Sequence, residues 1–134
     1  MSALDAPDRG ASCARTKVVV LCGSTRFKVA LREWEARLEM EEGCAVLGVT
    51  LWSDGAVIEP TPEQRAIADR AHHAKMLLAD EVFVVDPGGY VGEGTAREVE
   101  VAVARGQPVR RLSTEHPGWT EADCRYWRRA PAPA

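Results

Sequence analysis

Hydrophobic positions along the chain switch between two periodicities. Lys17-Val-Val-Val-Leu-Cys22 is a continuous apolar run rich in β-branched residues and closed by Gly23, the pattern of a strand buried on both faces of a parallel sheet. From Phe27 to Glu42 the apolar residues Phe27, Ala30, Leu31, Trp34 and Leu38 recur at helical spacing between charges, and Gly43 follows as a C-terminal stop. Cys44 to Thr50 reads as a second strand, and Ser53 to Pro62, with Asp54, Gly55, Pro60 and Pro62, as a loop. A second helix is predicted to start at Thr61-Pro62-Glu63, with Thr61 as cap and Pro62 in the first turn. It runs to Leu78 on a stripe of Ile67, Ala71, Ala74 and Leu78, with His72 and Lys75 on the other face. Glu81 to Asp86 is the third strand, Gly88 to Gly94 a loop, Thr95 to Arg105 the third helix and Gln107 to Leu112 the fourth strand.

This βαβαβαβ order predicts an α/β fold of flavodoxin or Rossmann-like type, three layers with a parallel sheet of four to five strands and helices on both faces. Ligands of such sheets bind outside the carboxyl ends of the strands, where both glycine-rich segments, after Cys22 and after Asp86, are expected to lie. Residues 1–15 and 130–134 have no periodicity and are expected to be frayed termini around one domain spanning 16–129.

Composition narrows the function. With 134 residues and 46% hydrophobic residues the chain suits a single core. The net charge is −3 and the two signs are interleaved, which argues against a polymeric nucleic-acid partner. No apolar run approaches the ~20 residues that span a bilayer. Residues 1–15 lack the layout of a signal peptide, so no membrane partner and a cytoplasmic location are expected. Cys13, Cys22, Cys44 and Cys124 are scattered without a Cys-x-x-Cys pair, which predicts reduced thiols rather than disulfides or a structural zinc.

Two segments carry candidate chemistry. Gly23-Ser24-Thr25-Arg26 occupies a strand-to-helix turn, where backbone N–H groups and the helix dipole favour a phosphate; it also reads as an ordinary capped turn with Ser24 or Thr25 as N-cap. It has neither the Gly-Lys-Ser/Thr of a Walker A loop nor the third glycine of the dinucleotide fingerprint, so it favours a monophosphate. Between Asp86 and Glu98, Gly88, Gly89, Gly92 and Gly94 fall within seven positions, which suits a substrate loop with Tyr90, Gly92, Gly94 and Thr95 as contacts. Thr95-Ala-Arg-Glu98 equally matches a capping box in which Glu98 ties down the helix start, and Glu93 is a competing carboxylate. His72 and His73 have no partners at metal spacing, and neither a metal nor a cofactor is expected.

Val-Leu-Cys-Gly-Ser-Thr-Arg26, Ala79-Asp-Glu-Val-Phe-Val-Val85 and Gly-Tyr-Val-Gly-Glu-Gly-Thr-x-x-Glu98, followed by Val-Ala-Arg-Gly-Gln-Pro-Val109, together resemble the nucleoside 2-deoxyribosyltransferase-like superfamily over roughly Lys17 to Leu112. That superfamily holds transferases that swap bases between deoxynucleosides and hydrolases that cut the N-glycosidic bond of nucleoside 5′-monophosphates. The resemblance implies a flavodoxin-like fold, a 5′-phosphate at the Gly-Ser-Thr-Arg turn with Arg26 as its arginine, and Glu98 as nucleophile. Two positions depart from the family pattern. His72 stands where an acidic residue is common and is assigned as general acid or orienting group, and Val20 stands where an aromatic residue helps to position the sugar, a role that Tyr90 would take. The expected activity is hydrolysis of a nucleoside 5′-monophosphate to free base and sugar phosphate. The alternatives are a nucleotide-binding module without turnover and a deoxyribosyltransferase. The resemblance also implies a homodimer, for which Trp119, Tyr126 and Trp127 offer an apolar contact, or else pack on their own domain.

Overall fold

The β-branched runs pair side by side in a computed structural model that describes residues 15–128. Strands β1 (Val18–Cys22), β2 (Ala45–Leu47), β3 (Glu81–Val84) and β4 (Val109–Arg111) form one parallel sheet in the order β2-β1-β3-β4. Val20 lies opposite Leu47 on one side and Val82 on the other, and Val82 in turn opposite Val109. The expected α/β architecture is therefore present with four strands. The strand order reverses between β1 and β3, which opens the crevice where ligands of such sheets bind.

Side chains of β1 alternate between two cores. Val19 and Leu21 pack with α1 (Lys28–Met40), through Ala30, Leu31, Trp34 and Leu38, and with Phe83 and Val85. Trp34 stacks on Phe83 at 5.4 Å between ring centroids. Val20 and Cys22 face the opposite layer with Met76, Ala79, Val82, Val84 and Ala102, covered by α2 (Pro62–Leu78) and α3 (Glu93–Ala104). Cys22 therefore points toward the two helices that carry His72 and Glu98.

Local signals place some boundaries as read. Thr61 caps α2 in a capping box with Gln64, with Pro62 in the first turn. Gly43 ends α1 with a φ of 71°. Other expectations are corrected. The second strand is only Ala45–Leu47, and the first turn of the first helix is a separate 3-10 turn over Thr25–Phe27. The third helix starts at Glu93 rather than Thr95, so Thr95 is buried inside its first turn and makes no capping box with Glu98.

The stripe expected to face the sheet on α2 faces outward: Ile67 is 56% and Leu78 72% exposed, and Ala71 and Ala74 are exposed as well. The inward positions are Ala68, His72, Lys75 and Met76, and only Met76 is fully buried. The reason is geometric. The first half of α2 overhangs the ends of the strands, where it borders a cavity instead of a core, and only its last turn lies over the sheet.

Beyond β4 the chain adds α4 (Leu112–Glu115) and a 3-10 turn, Glu121–Asp123, neither of which the periodicity indicated. Trp119 is buried edge-on against Trp34, so it belongs to this domain's own core and does not form an external contact; Tyr126 and Trp127 remain partly exposed. The segment is anchored by Glu33, a fully buried carboxylate that accepts hydrogen bonds from the N–H groups of Arg125, Tyr126 and Trp127 and from Arg37 Nε. Burial alone would raise the Glu33 pKa, but these four donors outweigh it and hold the carboxyl below the usual carboxylate range.

Arg15, placed in the expected N-terminal arm, pairs with Asp80. The rest of that arm, Cys13 and the Pro-Ala tail fall outside the described residues. Cys22, Cys44 and Cys124 are free and buried. Among the described residues no helix is long and apolar enough to cross a membrane.

Candidate functional site

The end of β1 turns sharply into α1 because Gly23 has no side chain. A Cβ there would sit 2.9 Å from the Val85 carbonyl oxygen and 3.3 Å from Leu31 Cδ2, so the glycine is needed for the close approach of two strand ends. Ser24 Oγ accepts the Arg26 N–H at 3.3 Å and caps the turn, as in the structural reading of this segment.

Above this turn lies a cavity of about 580 Å³, between the strand ends, the loop after β2, α2 and α3. It collects most of the residues expected from sequence: Gly23, Ser24, Thr25, His72, Gly92, Gly94, Thr95 and Glu98 all line it. Two do not. Arg26 lays its guanidinium over the Tyr90 ring, 3.9 Å from the centroid, and Tyr90 also meets Phe27 edge-on, so this pair sits outside the cavity wall.

The polar centre is a contact between helices. His72 Nε2 lies 2.9 Å from Glu98 Oε2, with 12% of the imidazole and 27% of the carboxylate side chain exposed. The same nitrogen is 3.5 Å from Cys22 Sγ. Burial, reinforced by the negative charge of Glu98, pushes the Cys22 thiol well above its ordinary pKa. His72 Nδ1 is buried and has no hydrogen-bond partner among the described residues. Glu98 stands in the second turn of α3, beyond the first turn over which the helix dipole acts.

Several lining residues escaped the sequence reading. Arg65 and Asp69 join His72 and His73 along α2, and Arg97 and Val101 join Gly94 and Glu98 along α3. Each set recurs at spacings of three and four, so a helical register anchored on His72 or Glu98 would have found it. Asp69 places a carboxylate one turn before His72, on the helix where the departure from an acidic residue was noted. Trp52, in the loop after β2, also lines the cavity, with Arg65 5.5 Å and Lys28 5.9 Å from its ring, while Lys28 also pairs with Asp54 at 2.8 Å. Cys22 gave no signal because its partners are 50 and 76 positions away in the chain.

The arrangement offers a carboxylate with a hydrogen-bonded imidazole, an aromatic face and two guanidinium groups, Arg65 and Arg97, around one opening at the strand ends. Compared with known proteins, the chain matches no family model, no curated protein and no solved structure.

Proposed function

We propose that the cavity hydrolyses the N-glycosidic bond of a nucleoside 5′-monophosphate. The observation that carries this reading is the Glu98–His72 pair at the mouth of the β1–β3 crevice, directly beside the Gly23–Thr25 turn. A carboxylate in that position attacks C1′ of the sugar as the bond from C1′ to the base nitrogen breaks. The electron pair leaves with the base, which takes the Nε2 proton of a doubly protonated His72 and leaves a neutral imidazole, and the resulting glycosyl ester on Glu98 is cleaved by water. Sugar 5-phosphate and free base are the products, and the water proton returns to His72.

The phosphate is assigned to the turn at Gly23–Arg26, with Arg26 leaving Tyr90 to reach it and Arg97 a guanidinium that already lines the cavity. The Trp52 face is assigned to the base. A binding module without turnover is the second reading; it is favoured by His72 standing where the family pattern has an acidic residue. A second copy of the chain is assigned to the outward stripe of α2, where Ile67, Ala71, Ala74, Leu77 and Leu78 are exposed.

The test is a chromatographic assay of base release from a panel of ribo- and deoxyribonucleoside 5′-monophosphates and the free nucleosides. Release from a monophosphate but not from its nucleoside is the expected result. Transfer of the sugar to an added base from a free nucleoside would identify a transferase instead. Binding of a monophosphate without release would leave the module reading.

A further inference from the structure

The Cys22 thiol is the one member of the polar centre that the proposed reaction leaves without a role. We propose that Cys22 Sγ, His72 Nε2 and a Glu98 carboxylate oxygen together form a binding site for a zinc-like divalent transition metal, and that an ion held there blocks the glycosidase by engaging its nucleophile. Occupancy by the metal does not depend on the glycosidase reading; the inhibition rests on it.

The three donors come from the end of β1, from α2 and from α3, one atom each, and all lie within 4.8 Å of one another. The separation of 3.5 Å between Cys22 Sγ and His72 Nε2 is that of two ligands of one tetrahedral ion. Zinc–sulfur and zinc–nitrogen bonds of about 2.3 and 2.0 Å span about 3.5 Å at a tetrahedral angle. The same arithmetic puts nitrogen and oxygen ligands about 3.3 Å apart. To admit the ion, His72 and Glu98, now at 2.9 Å, part by a few tenths of an ångström, and Cys22 Sγ and the Glu98 oxygen, which lie within 4.8 Å, settle about 3.6 Å apart.

The donor set decides which ions fit. A thiolate with an imidazole and a carboxylate suits zinc and its neighbours, whereas magnesium and calcium take oxygen ligands. The thiol is fully buried while the carboxylate keeps contact with the cavity, so an ion enters from the cavity side and retains a water as fourth ligand. The thiol proton passes to solvent as the metal–sulfur bond forms, and the His72–Glu98 hydrogen bond is replaced by two metal bonds, with the Nε2 proton moving to Nδ1.

His72 Nδ1 has no partner among the described residues. Ligating histidines in tight structural sites donate that second N–H to an oxygen. Its absence here fits an ion that comes and goes rather than one that holds the fold.

The experiment titrates the full-length reduced protein with Co²⁺ and follows the visible d–d bands and the near-ultraviolet thiolate-to-cobalt charge transfer. One cobalt per chain with intense, tetrahedral-type bands is expected, displaced by Zn²⁺ and unaffected by excess Mg²⁺. Cys22→Ser abolishes the charge transfer. His72→Ala, at a less buried position than Cys22, weakens binding at least about tenfold and serves if the buried serine variant fails to fold. No charge-transfer band, or a band of undiminished strength in both variants, overturns the site.

Base release is measured separately with and without Zn²⁺. Suppression reversed by a chelator is the expected result, and activity that persists at a zinc level saturating the cobalt-displacement signal overturns the inhibition. A charge-transfer band in a protein that releases no base from any nucleotide removes the glycosidase reading and the inhibition with it, while the metal site stands.

Discussion

His72 Nε2 meets Glu98 Oε2 at 2.9 Å, a bond from the second turn of one helix to the middle of another that closes over the end of β1. With Glu98 ionised, this bond requires the proton on Nε2, which fixes the imidazole as a donor aimed at the carboxylate. The helix start lies at Glu93, with Gly92 as its cap residue, so Glu98 has no part in capping. Its position is explained by His72 and by the cavity.

Glu98→Gln keeps the shape of the side chain and removes its nucleophilicity. The expected loss in the rate of base release is more than about 10⁴-fold. Nucleotide-induced thermal shift should be retained, and stability should change by only about 1 kcal/mol because the amide oxygen of the variant still accepts the His72 Nε2 hydrogen bond. A variant that still releases base at the wild-type rate removes Glu98 from the reaction.

Gly23→Ala tests the turn beneath the cavity. The new Cβ would press on the Val85 carbonyl at 2.9 Å, and backbone cannot yield as a flexible side chain does. Destabilisation of about 1–3 kcal/mol is expected in chemical denaturation, through separation of the β1 and β3 ends. An unchanged midpoint would mean that the two strand ends are not held at this spacing.

How much of this was legible in the sequence follows from the range over which each signal acts. Thr61-Pro62-Glu63-Gln64 carries its own cap and first turn, so the start of α2 was readable to the residue. Gly92 caps α3 without any side-chain bond, and the visible Thr95-x-x-Glu98 pattern pointed to a start two residues too late. The phase of α2 was misread because apolar periodicity assumes that the inward face meets a core. Here that face borders the cavity with His72, Asp69 and Arg65, and leaves Ile67 and Leu78 outside. The Cys22–His72–Glu98 cluster needed the sheet register and two crossovers, which no local spacing reports. The C-terminal segment was invisible for a related reason: its anchor, Glu33, lies more than ninety positions upstream.

Arg26 and Arg97 make different predictions for phosphate. Arg26 rests on Tyr90 outside the cavity wall, and Arg97 lines it. Under the proposed function Arg26→Ala weakens binding of a nucleoside monophosphate by about tenfold, the cost of one charge-assisted hydrogen bond, and leaves affinity for the free nucleoside unchanged. Calorimetric titration with both ligands measures the difference. Equal loss for both would remove Arg26 from the phosphate, and the same selective loss in Arg97→Ala alone would transfer the role to α3.

Glu33 predicts an acid limit to stability that is independent of catalysis. Its carboxylate is fully buried, and its donors, three backbone N–H groups and Arg37, hold its pKa below the unfolded value of about 4.3. A carboxyl depressed in the folded state contributes stability that is complete above the unfolded value. That contribution is lost as pH falls through the folded pKa, because protonation then favours the unfolded chain. Glu33→Gln removes the charge while leaving Arg37 buried, and an unpaired buried cation costs about 3–5 kcal/mol. Denaturation midpoints measured from pH 7 to pH 3 should therefore show a large deficit in the variant at neutral pH that narrows in acid, where the wild type loses its own carboxylate. Hydrogen exchange should report the same loss first at Arg125, Tyr126 and Trp127, whose N–H groups bond directly to Glu33. A deficit that stays constant across this range would place the stabilising role of Glu33 in its packing and not in its charge.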